Sequence, residues 1–192
     1  QPPFGTKQFY VLGNHRVSEL LIATGGYSRC YLVHRIDGKI LCRKKFRDEF
    51  EFQQDYQVLS RLNHENIIKF VKSFNDKTDI KEVFYLDLPH YGQSVYDYIT
   101  GMRESKIPVP LEIISSISQG VLSALQYMHN TMQIGHFDIK PSNIMMTDEA
   151  KPILIDFGNA RSLGDSYNIS YRLGCYEFAP LEALEHGQFT DL

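Results

Sequence analysis

The sequence predicts an α+β fold in which a strand-rich front part is followed by a mainly helical part. Three patterns predict it. Short apolar runs alternate with turn residues over residues 16–46, apolar residues recur every three or four positions over residues 47–62, and a longer helical repeat covers residues 113–128. With 43% hydrophobic and 12% aromatic residues, the 192-residue chain can bury the core of one domain or of two small lobes.

The front part is predicted to be a small antiparallel lobe of five strands and one helix. The turn Asp37-Gly38 suits a tight hairpin because both residues tolerate positive φ angles, and it joins the second strand to the third. The helix over residues 47–62 has one apolar face and follows the third strand. The five strands are expected at residues 20–22, 30–33, 40–42, 67–74 and 83–88.

The part of the chain after Pro89 is predicted to be mainly helical. A short helix is expected at residues 95–100, and the strongest helical pattern follows Pro108 and Pro110. Proline suits the start of a helix because its missing N–H would be unpaired there in any case.

Composition gives no broad electrostatic attraction to nucleic acid or to an anionic membrane, because the net charge is −3. The three cysteines form no Cys-x-x-Cys pair, which predicts neither a disulfide framework nor a zinc site. No apolar run approaches the roughly 18 residues of a membrane-spanning helix. We therefore expect an intracellular protein, cytoplasmic or nuclear, without membrane or nucleic-acid partners. Nothing in the sequence predicts its oligomeric state.

Two short segments carry residues suited to phosphoryl transfer. Residues 136–143 read His-Phe-Asp-Ile-Lys-Pro-Ser-Asn, and residues 156–158 read Asp-Phe-Gly. A transferring phosphoryl group needs Mg²⁺ held by oxygen ligands, a lysine that neutralises charge, and an aspartate that orients the attacking hydroxyl. The alternative is that these residues make ordinary turns and surface ion pairs. The residues that would supply the chemistry are Asp138, Lys140, Asn143 and Asp156.

The chain resembles a eukaryotic protein kinase over nearly its whole length. His-x-Asp-x-Lys-x-x-Asn, Asp-Phe-Gly and a segment from Gly174 to Glu182 occur in the order and approximate spacing of that family. The resemblance implies a bilobal fold, with a small ATP-binding lobe at residues 1–88 and the first part of the large catalytic lobe at residues 89–192. In the family a central helix follows, so we expect the intact protein to continue beyond Leu192.

The resemblance also implies the activity, an ATP- and Mg²⁺-dependent transfer of phosphate to protein substrates. The loop Asp-Ile-Lys-Pro-Ser-Asn looks like the serine/threonine branch, and similar loops in the Wee1-like group leave transfer to tyrosine open. Under the resemblance Asp138 would accept or orient the substrate proton and Lys140 would contact the γ-phosphate. Mg²⁺ would be held by Asn143 and Asp156. His136 would be a buried structural histidine.

The predicted phosphate-binding turn departs from the family's Gly-x-Gly-x-x-Gly. This chain has Ala23, Gly25, Gly26, Tyr27 and Ser28 in that region, with only the middle glycine in register. Backbone N–H groups at such glycines can still face a phosphate. A plain hairpin turn is the competing explanation.

The phosphate-binding lysine implied by the resemblance is Lys44 rather than Lys45, and its acidic partner falls on Asp55. The family has a glutamate there, which is longer by one methylene. The sequence leaves three arrangements open: a helix closer to the strand, a water between the two groups, or Glu51 as a substitute. Asp55 as a solvated helix acid is the competing explanation.

The resemblance places adenine between the lobes, with the connection between them near Leu86 and Leu88. Pro89 would remove one possible backbone donor to the nucleotide. Three side chains fall where the family contacts the adenine faces and are equally well explained as ordinary core: Cys30, Cys42 and Met145.

Two further departures bear on regulation and rate. Phe137 stands where the family has an arginine that pairs with a phosphate on the activation segment, which predicts activity independent of phosphorylation there. Cys175 stands where a threonine usually lies. With the altered glycine turn and Asp55, these residues keep open a pseudokinase, a binding or regulatory module of the same fold.

Overall fold

A computed structural model of the chain describes residues 8–12, 15–25, 28–35, 37–77, 82–164 and 176–178. The chain divides into two compact units. The first contains Gln1–Ser60 and Lys69–His90, and the second contains Arg61–Ile68 and Tyr91–Leu192. The functional division predicted at residues 1–88 and 89–192, an ATP-binding lobe and a catalytic lobe, stays a prediction.

The first unit is built on an antiparallel sheet of six strands in the order β1-β2-β3-β4-β6-β5. The predicted antiparallel sheet is confirmed, and β1 is a strand beyond the five that the sequence predicts. The strands are β1 (Gln8–Leu12), β2 (His15–Thr24), β3 (Ser28–His34), β4 (Ile40–Phe46), β5 (Lys72–Lys77) and β6 (Glu82–Pro89).

The fourth strand predicted at residues 67–74 was wrong in its bounds. The observed strand, β5, begins at Lys72. Ile67 and Ile68 are buried in the second unit, where the Ile68 N–H donates to the Leu154 carbonyl at 3.0 Å. The backbone of this apolar pair therefore makes its hydrogen bonds outside the sheet of the first unit. A hydrophobic pattern alone does not show where those hydrogen bonds are made.

The helix of the first unit, α1, spans Glu49–Leu59 and is shorter than the predicted 47–62. It starts later because Asp48 is the N-cap, and its carboxylate accepts a hydrogen bond from the Glu51 N–H at 3.0 Å. Its buried residues, Phe52, Asp55 and Leu59, recur at helical spacing. One face of α1 is therefore apolar except for a single buried acid.

An aromatic core holds α1 in the first unit. Phe46, Phe52 and Leu86 are buried together. The Phe52 ring meets Phe46 edge to face at 5.6 Å and stacks on Phe84 at 5.2 Å between centroids. Each fully buried side chain of this size contributes about 1.5–3 kcal/mol, so the cluster fixes the helix on the strands.

The second unit is built from two α-helices and five short strands among the described residues. Strands β10, β9 and β7 form one ribbon, and β11 pairs with β8 in another. A π-helical turn, Tyr127–Met132, extends the longest helix, and 3₁₀ turns lie at Pro141–Asn143 and Tyr176–Phe178. The elements are β7 (Gln93–Ser94), α2 (Val95–Glu104), α3 (Leu111–Gln126), β8 (Ile134–Gly135), β9 (Ile144–Met146), β10 (Pro152–Leu154) and β11 (Arg161–Ser162).

Both predicted helices of this unit are present. Helix α2 runs beyond the predicted 95–100 and starts with a capping box, in which Ser94 and Asp97 satisfy each other's backbone N–H groups. Helix α3 begins directly after Pro110. No helix in the described part of the chain is long and apolar enough to cross a membrane.

Residues 61–68 lie against β10 through hydrogen bonds of Asn66. Its side-chain Nδ2 donates to the Pro152 carbonyl at 2.9 Å, and its own carbonyl accepts from the Leu154 N–H at 2.8 Å. Helix α3 approaches the same place, because a Cβ at Gly120 would overlap Pro152. Close packing thus explains a glycine inside a helix, where it costs about 1 kcal/mol relative to alanine, and it fixes the ribbon that precedes Asp156.

Candidate active site

The carboxylate of Asp138 is the centre of the candidate site in the second unit. Its Oδ2 atom accepts hydrogen bonds from Lys140 Nζ at 2.8 Å and from Asn143 Nδ2 at 2.8 Å. Asp138 is 8% exposed and the Lys140 side chain 23%. One oxygen is therefore held by an ammonium and an amide, which orients the carboxylate.

His136 fixes the backbone on which Asp138 lies. Its Nε2 is 3.0 Å from the Ile155 carbonyl, which can only accept, and its Nδ1 accepts from the Asp138 N–H at 3.2 Å. These two partners require the neutral tautomer with the proton on Nε2. His136 is 2% exposed and meets the Phe157 ring edge to face at 5.0 Å. It is buried, as the sequence predicts.

Asn143 and Asp156 stand at the end of the β9–β10 ribbon. The Asn143 carbonyl accepts from the Ile155 N–H at 2.9 Å, one residue before Asp156. The Asn143 side chain donates two hydrogen bonds to Asp138 from its Nδ2 atom, so its amide oxygen is the atom suited to a metal. Asp156 is exposed and has a left-handed backbone, with φ 65°, a conformation that aspartate adopts more readily than most residues.

The donor set of these two residues fits Mg²⁺. A carboxylate oxygen and an amide oxygen are hard ligands, and Mg²⁺ is commonly held by one or two protein oxygens together with substrate phosphates. Among the described residues, no three His, Cys, Asp or Glu side chains are grouped as a metal centre. Asn143 and Asp156 are the residues whose side-chain oxygens would hold Mg²⁺.

In the first unit Lys44 and Asp55 form a direct ion pair. Lys44 Nζ lies 2.6 Å from Asp55 Oδ2, and the two side chains are 11% and 3% exposed. Neither a water nor Glu51 is needed to join them. Lys45 lies on the other face of β4, with its Nζ 5.8 Å from the Tyr85 ring centroid. The structure thus pairs the lysine and the acid that the sequence selected.

The turn predicted to bind phosphate is described in part. The Gly25 N–H donates to the Ser28 carbonyl at 2.9 Å, Ala23 is exposed at the end of β2, and Ser28 is buried. A Cβ at Gly25 would meet that carbonyl at an ordinary 3.6 Å. Gly26 and Tyr27 lie outside the described residues.

Cys30 and Cys42 are half-buried on neighbouring strands of the first unit, and Met145 belongs to β9 of the second unit. The hydrogen bond with the Cys30 thiol, and then burial, raise the pKa of the Cys42 thiol far above its ordinary value. A thiol with a raised pKa is a poor nucleophile. Cys42 is therefore suited to packing rather than to covalent chemistry.

Leu86 and Leu88, predicted near the connection between lobes, both lie on β6. Leu86 is fully buried opposite Lys44, and Leu88 lies opposite Cys42. Burial, and then the charge of His34, lower the pKa of His90, the residue that follows this strand.

Most residues of the activation segment whose hydroxyls could carry a phosphate, and also Cys175, lie outside the described residues. Ser162 is described and is exposed on β11. Those outside are Ser166, Tyr167, Ser170, Tyr171 and Cys175.

Two features near the site were missed from the sequence. Arg43 and Asp87 form a buried bidentate ion pair, with Nε–Oδ1 at 2.7 Å and Nη2–Oδ2 at 2.9 Å. Strand alternation places Arg43 on the face opposite Lys44 and was the available signal for an acidic partner. The second feature is Gly135, which contacts the Phe137 ring; no pattern in the sequence indicates this contact.

The residue types gathered around Asp138 are those suited to phosphoryl transfer. Comparison with known proteins gives the family. Residues 17–191 match the protein kinase domain, and the chain belongs to the protein kinase family.

Curated relatives of the chain are serine/threonine and receptor-like kinases. A probable serine/threonine-protein kinase of Dictyostelium discoideum is 33% identical over 70% of this chain and 14% of its own length. Death-associated protein kinase 2 of Homo sapiens is 31% identical over 71% of this chain and 36% of its own length. Cysteine-rich receptor-like protein kinase 26 of Arabidopsis thaliana is 28% identical over 92% of this chain and 28% of its own. The chain thus spans little more than a third of these relatives at most.

Proposed function

We propose that this chain transfers the γ-phosphate of ATP to serine or threonine hydroxyls of protein substrates, with Mg²⁺ as cofactor. The observation that carries the proposal is the Asp138 carboxylate, on which Lys140 and Asn143 converge at 2.8 Å each. A carboxylate held in this way orients the substrate hydroxyl and accepts its proton as the oxygen attacks phosphorus.

Lys140 and Lys44 are each suited to neutralise phosphate charge. Lys140 lies next to the attacking position, where its ammonium would offset negative charge on the γ-phosphate. Lys44 would contact the other phosphates of ATP, and Asp55 holds its ammonium in place at 2.6 Å. Asn143 and Asp156 would hold Mg²⁺, which neutralises phosphate charge when bound.

The choice of serine and threonine is supported by Lys140 and by the relative from Dictyostelium discoideum whose name describes a serine/threonine-protein kinase. The proposed partners are ATP and intracellular protein substrates. A net charge of −3 gives no general attraction to nucleic acid or to anionic lipid.

Removal of Mg²⁺ by a chelator is expected to abolish transfer of labelled γ-phosphate from ATP to a mixed peptide library. The Asp156→Asn variant should lose about 10²-fold or more, as expected when a group that offsets developing charge is removed, and should need more Mg²⁺ for half of its maximal rate. Asp148→Asn, an equal change at an exposed turn of the same unit, is the matched control. Transfer that is unaffected by the chelator would contradict the metal assignment.

Activity is expected not to depend on phosphate groups on the activation segment, because Phe137 cannot pair with an anion. Treatment with a phosphatase, followed by its removal, should leave the rate of peptide phosphorylation unchanged. The Phe137→Arg variant, which carries the guanidinium that the family has at this position, is compared with the wild type under the same phosphatase treatment. If phosphatase treatment abolished the wild-type activity and rephosphorylation of the segment restored it, this part of the proposal would fail.

A further inference from the structure

Phe137 has an unusual backbone conformation beside the candidate catalytic carboxylate. Its φ is 59°, in the left-handed region. Bulky residues are rare there, and such conformations persist only where surrounding contacts hold them in place. The residue on its C-terminal side is Asp138, so whatever holds Phe137 also fixes the start of the catalytic loop.

The Phe137 ring contacts Gly135, where the absence of a side chain leaves room for the ring. A Cβ placed on Gly135 would lie 2.6 Å from both Cε2 and Cζ of the Phe137 ring and 3.1 Å from Leu163 Cδ2. The ring therefore lies over Gly135 where any other residue would have a side chain. We call Gly135 and Leu163 the ring seat.

The ring seat joins two parts of the chain that are distant in sequence. Gly135 pairs with Arg161 in the β8–β11 ribbon, and the Leu163 N–H donates to the Gln133 carbonyl at 2.7 Å. Arg161 in turn donates from Nη1 to the Ala160 and Gly158 carbonyls at 2.6 and 3.2 Å. The segment that follows Asp-Phe-Gly is thus bound next to the ring.

We propose that Phe137 is a positioning residue: its ring, held in the seat of Gly135 and Leu163, fixes the Asp138 backbone together with the segment after Gly158. The effect on rate rests on the proposed kinase function. The ring touches no substrate in this account and acts through Asp138. The contact of the Phe137 ring with Gly135 takes the place of the family's arginine–phosphate pair. The catalytic loop is therefore positioned without a phosphate on the activation segment.

A double-mutant cycle at Gly135 and Phe137 tests the proposal on the full chain. Phe137→Ala and Gly135→Ala are each expected to lower kcat by about ten-fold to 100-fold, the size of effect that a misplacement near 1 Å produces, with little change in KM for ATP. The kcat of the double variant should be no lower than that of Phe137→Ala, because the Cβ added at position 135 fits once the Phe137 ring is absent. Phe137→Met, which keeps an apolar side chain, should recover most of the rate.

A second readout does not require activity. Hydrogen exchange of the Asp138 and Leu163 amides should become faster in Phe137→Ala, while thermal unfolding stays close to that of the wild type. Phe50→Ala, a change at a phenylalanine that is 63% exposed, should leave both amides unaffected.

The proposal would be overturned if the losses of kcat in the two single variants added up in the double variant. It would also be overturned if the substitutions changed only KM. Unchanged exchange of both amides in Phe137→Ala would also overturn it. If the wild-type chain transferred no phosphate, the proposed kinase function would fail, and the exchange measurement would still decide whether the ring fixes the loop.

Discussion

Replacing Asp138 by Asn is expected to lower the rate of phosphate transfer by about 10²- to 10⁴-fold, the contribution of a positioned general base. The asparagine side chain has almost the same shape, so it fits between Lys140 and Asn143. It cannot accept the substrate proton, and it removes the negative charge that faces Lys140 Nζ at 2.8 Å. The rate of transfer from labelled ATP to peptides measures the effect.

The fold should be retained in this variant, because the His136 hydrogen bonds to the Ile155 carbonyl and the Asp138 N–H do not involve the carboxylate. Asp148→Asn controls for the loss of one negative charge in the same unit. A rate for Asp138→Asn equal to that of the wild type would contradict the assignment of this residue.

Replacing Asp87 by Ala is expected to reduce the free energy of unfolding by about 3–5 kcal/mol, because it leaves a buried guanidinium without its anion. The Arg43 and Asp87 side chains are 4% and 3% exposed, and Arg43 also lies 4.8 Å from the Phe74 ring centroid. A loss of that size is a large part of the usual total of about 5–15 kcal/mol. Urea unfolding followed by circular dichroism measures it.

The matched control for this pair is Asp37→Ala, which removes an exposed partner of Arg35 at 3.2 Å in the same unit. Exposed pairs contribute about 0–1 kcal/mol. The double replacement Arg43→Met with Asp87→Leu should be less destabilising than Asp87→Ala, because no buried charge is left unpaired. Equal losses of unfolding free energy for Asp37→Ala and Asp87→Ala would contradict the prediction that the buried pair contributes more to stability than the exposed pair.

The candidate catalytic loop could be predicted from the sequence because its residues are close in sequence. Asp138, Lys140 and Asn143 lie within one short loop, so their spacing already limits the distances between their side chains. Predicting the pairing of Lys44 with Asp55 needed more information, because the strand and the helix that carry them must pack with one particular alignment. The resemblance to the family's lysine-bearing strand and glutamate-bearing helix selected both residues.

Other features could not be predicted because they depend on contacts between distant residues. Ile67 and Ile68 form an apolar pair that reads as a strand, but their backbone groups bond in the second unit near Leu154. The contact of Phe137 with Gly135 depends on a backbone angle that no spacing encodes. Hydrophobic pattern reports which side chains are buried, but not which distant segment buries them.

The most direct test of the central claim is phosphoamino-acid analysis of peptides labelled by this chain from γ-labelled ATP. We expect phosphoserine and phosphothreonine in the wild-type reaction and almost none with Asp138→Asn. Phosphotyrosine as the only product would contradict the choice of hydroxyl and favour the tyrosine-directed alternative. Equal background labelling by the wild type and Asp138→Asn would contradict catalysis itself and favour a binding or regulatory role.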